Sequence, residues 1–483
     1  MASIHTTWLI WLLATLGGAV ILAGGMIYGG ELRANLVIGK TTDGHYQIEL
    51  ACTACHTSPF AGAEAIQKAC VGCHGKDLNQ AKDSHPAKKF DDPRNADRLL
   101  KLEATRCVTC HTEHRPSVTG AMGVTLPMDY CALCHEGIGN ERVSHKGLAF
   151  STCTSAGCHN YHDNRALYED FLEKHASEPD VLASPIVKLK AAPIQASTNT
   201  KPIIELSAID APSVKRGHTT IDGDWLASAH AKGGVNCSGC HAPKARPTPV
   251  GTSDDASGWI EKPDHTVCAK CHKNEVAGFT AGRHGMRLAA GLFSALDGPL
   301  GLSRRTPLTP MRPKLARIPM SRAAHGRSLT CTTCHAAHAF PIVKAEVEAC
   351  LGCHSDKHSQ AYAASPHAQL WRNEQAGGAP KGSGVSCATC HLPRETHEDP
   401  DTGEDRVSAA HNQNQNLRPN EKMLRSVCMS CHGLGFAMDA LADPHLVERN
   451  FAGRPSARVE SIDWVMRRLK EREGRSEEPT GGK

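Results

Sequence analysis

Aromatic side chains are nearly missing from this chain. Six Trp, six Tyr and nine Phe make up 4% of its 483 residues, while glycine reaches 43. A chain of this length has room for two or three domains. Its large apolar side chains are too few to fill ordinary cores for them, so a domain packed from side chains alone is excluded. Net charge is lacking as well: 54 Lys and Arg stand against 50 Asp and Glu. What the chain has instead is cysteine, 22 of it, and histidine, 29.

No cysteine is left over from one pattern. Ten pairs have the form C-x-x-C-H, which bonds two thiols to one porphyrin and offers the next residue to its iron. They are Cys52 and Cys55, Cys70 and Cys73, Cys107 and Cys110, Cys131 and Cys134, Cys237 and Cys240, Cys268 and Cys271, Cys331 and Cys334, Cys350 and Cys353, Cys387 and Cys390, and Cys428 and Cys431. Their histidines are His56, His74, His111, His135, His241, His272, His335, His354, His391 and His432. An eleventh, wider motif joins Cys153 and Cys158 and ends in His159.

A zinc framework would combine its C-x-x-C units in pairs, and eleven is odd. A disulfide framework would not set His after every second cysteine. The pattern therefore implies eleven covalently bound haem c groups, each with a proximal His. The porphyrins supply the apolar bulk that the aromatics do not, and no stable fold is expected without them. Their propionates also turn the formal charge negative, so the basic residues argue nothing for nucleic acid. The motifs follow no fixed period: first cysteines lie from 18 residues apart (Cys52 to Cys70) to 84 (Cys153 to Cys237), which excludes a solenoid.

The run from Trp8 to Tyr28 carries no charged side chain. It reads as a transmembrane anchor over 8–28, or as an uncleaved signal, behind a cytoplasmic stub at 1–7. Haem attachment in similar proteins occurs on the outer face of the bacterial inner membrane, so the body is expected in the periplasm. Five motifs fall within 41–176, a pentahaem domain. Residues 177–217 lack cysteine and carry Pro179, Pro185, Pro193, Pro202 and Pro212, which reads as a linker or a strap. Six motifs fall within 218–450, a hexahaem domain. Ala289 to Pro319 reads as an excursion loop, and 451–483 as a C-terminal helix followed by a disordered tail. The expected fold is mainly α with much irregular structure, folded around stacked haems.

Besides the proximal set and His5, seventeen histidines remain for eleven open iron positions. Those of the first block are His45, His85, His114, His145, His162 and His175. Those of the second are His218, His230, His265, His284, His325, His338, His358, His367, His397, His411 and His445. Bis-His ligation throughout is therefore possible, and it favours electron transfer over catalysis. His114, His162 and His338 each follow a proximal His by three residues. None can reach round its own porphyrin, so each is expected to serve a neighbouring haem. The expected distal set also includes His85 and His145.

The short spacing, the C-x-x-C-H-x-x-H element at Cys107–His114 and the wide motif at Cys153–His159 resemble the class III multihaem cytochromes, the cytochrome c3-like family. The N-terminal helix resembles the tether of periplasmic quinol dehydrogenases. Those carry a Met soon after an early motif, where this chain has Thr57, Ser58 and Pro59.

The second block resembles the nitrite reductase and hydroxylamine oxidoreductase family. The matching residues are Trp225–His230 ahead of Cys237, His358, Tyr362 and His367 after Cys350–His354, His397 after Cys387–His391, and 411–419 ahead of Cys428–His432. This resemblance implies His230, His325, His358, His367 and His411 as distal ligands. The chain departs from that family in having no Lys in place of a proximal His and no Tyr after Tyr362. The functional expectation is an electron carrier between an inner-membrane quinol-oxidising or respiratory complex and a periplasmic redox partner. The alternative is a reductase of nitrite, hydroxylamine or a sulfur oxyanion, with Arg283, His284 and Arg287 above an open iron, against His284 as an ordinary distal ligand.

Overall fold

The computed structural model describes residues 4–28, 39–57, 62–83, 85–120, 123–127, 130–142, 145–146, 160–163, 169–186, 204–242, 258–294, 307–398, 403, 405–417 and 422–476. The wide motif Cys153–His159, Pro193 and Pro202 of the linker, the middle of the 289–319 excursion, residues 418–420 and the tail beyond Ser476 lie outside the described residues. The chain divides into two units. The first holds Met1–Glu169 with Arg287–Thr309, and the second holds Asp170–Met286 with Pro310–Lys483.

Single helical turns at the motifs are the recurring element. The cysteines are three apart and the His is four from the first cysteine, so one turn brings all three to one side. The closing hydrogen bond repeats from motif to motif: His56 N donates to Cys52 O at 2.8 Å, His111 N to Cys107 O at 2.8 Å, His354 N to Cys350 O at 2.8 Å and His432 N to Cys428 O at 2.9 Å. An isolated turn is unstable, and capping side chains support several of these. Thr330 with Thr333 and Ser386 with Thr389 form capping boxes at Cys331–His335 and Cys387–His391. Asn236 caps Cys237–His241.

In the first unit, helix α1 (Ile4–Tyr28) is apolar, with Trp8, Leu12, Leu16 and Ile21 exposed. Among the described residues no helix is long and apolar enough to cross a membrane. Helix α2 (Ala63–Ala81) carries the Cys70–His74 motif in its middle and ends at Lys82 in the left-handed conformation. Gln67 of α2 accepts from Cys107 N at 2.9 Å and so ties two motifs together. The part of the excursion up to Thr309 belongs to this unit. Arg287 donates through Nη1 to Gln47 O at 2.6 Å and through Nε to Thr309 O at 2.8 Å.

In the second unit the cores are small, as the shortage of aromatics demands. One joins Ile209, Ala211, Trp225 and Ala231, and another joins Val347, Tyr362 and Ala368. Strands β1 (Arg394–Glu398) and β2 (Asp405–Ala409) pair antiparallel, with Thr396 opposite Val407. This hairpin returns the chain to the Cys387–His391 motif, where Ala410 N donates to Pro393 O at 2.9 Å. Helices α3 (Leu434–Ala442), α4 (Pro444–Glu448) and α5 (Glu460–Ser476) bury Leu434, Leu446, Ile462 and Val465. Asp439 accepts from Val459 N at 2.7 Å and pairs with Arg458.

The start of the 177–217 segment is a strap. Leu182 N donates to Cys431 O at 2.8 Å, Ile186 N to Ser430 O at 2.7 Å and Gly433 N to Pro179 O at 3.1 Å. It lies across the Cys428–His432 motif.

Candidate metal centres

Among the described residues no two motif cysteines are joined by a disulfide. Among those residues, no group of three or more His, Cys, Asp or Glu side chains is placed to hold a bare metal ion. The histidines are arranged differently, in facing pairs. His74 faces His45 at 5.8 Å between ring centres, His111 faces His162 at 6.2 Å and His135 faces His85 at 5.9 Å. In the second unit His272 faces His230 at 6.0 Å, His241 faces His338 at 6.1 Å and His335 faces His411 at 6.2 Å. His354 faces His284 at 6.1 Å, His391 faces His358 at 6.1 Å and His432 faces His367 at 6.3 Å.

Each of these nine pairs takes one ring from a motif and one from outside it. A metal–imidazole bond is about 2 Å long and the ring centre lies about 1.1 Å behind its nitrogen, so two imidazoles on opposite faces of one iron set their centres about 6.2 Å apart. The donor set and its spacing fit a haem held by two thioethers and two imidazoles.

The pairs are also prepared as ligands. An imidazole binds metal in its neutral form. Burial, then the facing ring, holds His284 at about 4 and His367 at about 4, and burial with His358 holds His391 at about 4. A hydrogen bond at Nδ1 fixes the tautomer and leaves Nε2 for the metal. His111 makes it to Gly123 O at 3.1 Å, His85 to Tyr161 O at 2.8 Å and His241 to Ile260 O at 2.6 Å. His411 makes it to Ala409 O at 2.9 Å and His432 to Asp180 O in the strap at 2.8 Å. His45 differs, with a carboxylate partner: its Nδ1 lies 2.5 Å from Glu113 Oε1. Burial works against the Glu113 charge, but His45 and the Thr42 amide bring its carboxyl down to about 2.

Two of the three histidines that follow a proximal His by three residues face a proximal ring from a different motif. His162 faces His111, while His338 faces His241 and its own neighbour His335 faces His411. The backbone shows how His338 leaves its motif. Ala336, His338 and Phe340 all have positive φ, at 33°, 69° and 47°. That left-handed run is costly for non-glycine residues and turns the chain away from the porphyrin that His335 would hold. His114 also has positive φ, at 62°, and its Nδ1 approaches Gly39 O at 3.2 Å.

Among the described residues His56, His114 and His325 face no second imidazole at this spacing, and His145 lies within electrostatic reach of His135. His175 is turned to Phe171 and Glu178. His45 and His284 are the pairing residues that the expected distal set leaves out. His45 stands ahead of the first motif with nothing local to mark it. His284 sits among arginines and so invites a catalytic reading, yet its ring faces that of His354.

Residues 44–136 match the family model of cytochrome c3. That region is a multihaem c-type cytochrome segment, with c-type haem bound covalently and electron transfer as its chemistry. It takes in four motifs, Cys52–His56 through Cys131–His135. No curated protein matches the chain.

Proposed function

We propose that the whole chain is an electron carrier with eleven covalently attached haems, working in the periplasm between a quinol-linked donor and a periplasmic redox acceptor. The observation that carries this reading is the set of facing imidazole pairs, one ring of each from a motif. When bound, haem supplies a one-electron ferric/ferrous couple. The chain does the rest. Paired thiols hold each group by two thioether bonds. In the nine described pairs the two facing imidazoles would hold the metal between them and leave no room there for a substrate. Backbone carbonyls at Nδ1 keep the rings in one tautomer and limit the reorganisation that accompanies a change of charge. Carboxylates such as Glu113 strengthen the donor character of the ring they touch.

A reductase would need a free axial face with polar donors above it. All six regular motifs of the second unit face a second imidazole, which favours the carrier over that alternative. The exposed apolar side chains of α1 give the protein a means of adhering to a bilayer.

The test is the reduced, haem-loaded protein under carbon monoxide. A carrier closed by paired imidazoles leaves the absorption spectrum of the second unit's haems unshifted. Rapid carbon monoxide binding there would sink the reading. High-salt washing of membranes tests the attachment: resting on apolar side chains and not on charge, it predicts that the protein stays in the pellet.

A further inference from the structure

Two arms of the first unit each carry a distal imidazole, and each arm holds the ring of the other. The first arm follows helix α2. The helix closes at Lys82, whose φ of 53° is left-handed, and Asp83 N donates back to Leu78 O at 3.1 Å. This reversal is a frequent helix ending, and it puts Asp83 and His85 together just beyond the helix. The second arm is 160–163. There Asn160 Oδ1 accepts from His162 N at 2.9 Å and from Asp163 N at 2.8 Å, which folds the arm into a tight turn.

The bonds between the arms are reciprocal. His85 donates through Nδ1 to Tyr161 O at 2.8 Å, and His162 donates through Nδ1 to Asp83 Oδ1 at 3.2 Å. The same Asp83 oxygen accepts from His85 N at 3.1 Å. The Tyr161 ring stacks on His85 at 4.2 Å and meets His162 edge-on at 4.9 Å, while its hydroxyl donates to Ala104 O at 2.8 Å. The two rings held in this way serve different motifs, since His85 faces His135 and His162 faces His111.

The two Nδ1 partners differ in charge. The Tyr161 carbonyl is neutral, whereas the Asp83 carboxylate is an anion. An imidazole that donates to a carboxylate becomes a stronger ligand, and a nearby negative charge favours the ferric state. The Asp83 side chain is only 20% exposed, so solvent screens it incompletely. We propose that Asp83 is a positioning residue for His162, and that it lowers the potential of the haem at Cys107 and Cys110 from the arm that carries the distal ligand of the haem at Cys131 and Cys134. This rests on the haem-attachment reading above. Sequence order hides the link: Asp83 and His162 are 79 residues apart.

The experiment is a double-substitution cycle on the haem-loaded full chain, read by spectroelectrochemical titration. Asp83→Asn keeps the shape and the acceptor for His85 N but removes the charge. His162→Met removes the N–H that the carboxylate accepts, and the wave that it moves identifies the haem. In the expected result Asp83→Asn moves that same wave to higher potential, by more than any other wave. In the His162→Met background the extra displacement disappears, because the path through the imidazole is gone. A displacement that persists undiminished in that background would overturn the proposal, as would one that is largest at another wave. So would a His162→Met titration identical to that of the parent. Mass spectrometry of proteolytic peptides tests the attachment reading separately: a Cys107 peptide without haem would sink that reading and the proposal with it.

Discussion

His338 shows what one side chain does here. It leaves its own motif through a left-handed turn and meets His241 at 6.1 Å, so replacing it should alter the Cys237 haem and leave the Cys331 haem unchanged. His338→Met exchanges an imidazole for a thioether, and Met ligation raises the potential of a c-type haem. The midpoint of a single haem is expected to rise by on the order of 100 mV, a small part of the ~0.8 V that axial ligands span. Spectroelectrochemical titration reads the shift. His338→Ala should instead create one carbon-monoxide-binding haem. If neither substitution moves any haem, the pairing of His338 with His241 is wrong.

At the scale of the element, the strap at Pro179–Ile186 and the caps of the last helices carry the clearest predictions. A Cβ on Gly433 would lie 2.5 Å from Pro179 O and 2.8 Å from Glu178 Cβ. Gly433→Ala forces the strap off the Cys428–His432 motif, at about 1–3 kcal/mol. Limited proteolysis should then cut at 178–186, where the parent protein resists. Asp443 caps α4, accepting from Ser456 through both N and Oγ, and from the Leu446 and His445 amides. These bonds hold its carboxyl below the ordinary 3.8. A carboxyl lowered on folding stabilises the fold above its unfolded value and loses that contribution as pH falls through the folded one. Asp443→Asn should therefore lower the thermal midpoint near neutral pH, and the gap to the parent should close only below 3.8. A gap unchanged at acid pH would refute the charge effect.

Such elements were only partly legible in the sequence. The motif turns follow from spacing alone, and Thr330 and Ser386 ahead of cysteine with Thr before the second cysteine spell a capping box. The strap is legible only as one of two readings of 177–217, and its place over Cys428–His432 is not, because backbone hydrogen bonds to residues some 250 positions away leave no local mark. The same holds for the distal ligands. His162 and His338 each follow a proximal His by three residues, and His358, His367 and His411 are marked by a family resemblance, whereas His45 and His284 depend on contacts that only the folded chain brings about.

Over the whole molecule, the described facing pairs differ in the angle between their ring planes. His241 and His338 are nearly parallel at 14°, and His111 and His162 are close to it at 23°. His391 and His358 are crossed at 87°, His135 and His85 at 78°, and His272 and His230 at 77°. Parallel imidazoles donate into one of the two iron dπ orbitals and split them, whereas crossed imidazoles donate into both and leave them nearly degenerate. The unpaired electron of each ferric haem is therefore expected to report its own site. Electron paramagnetic resonance of the oxidised protein should superpose rhombic signals from the parallel pairs on strongly anisotropic, single-featured signals from the crossed ones. His338→Met should remove a rhombic component and leave the anisotropic ones intact. Magnetism thus gives the haems individual labels in a molecule whose colour makes them all alike.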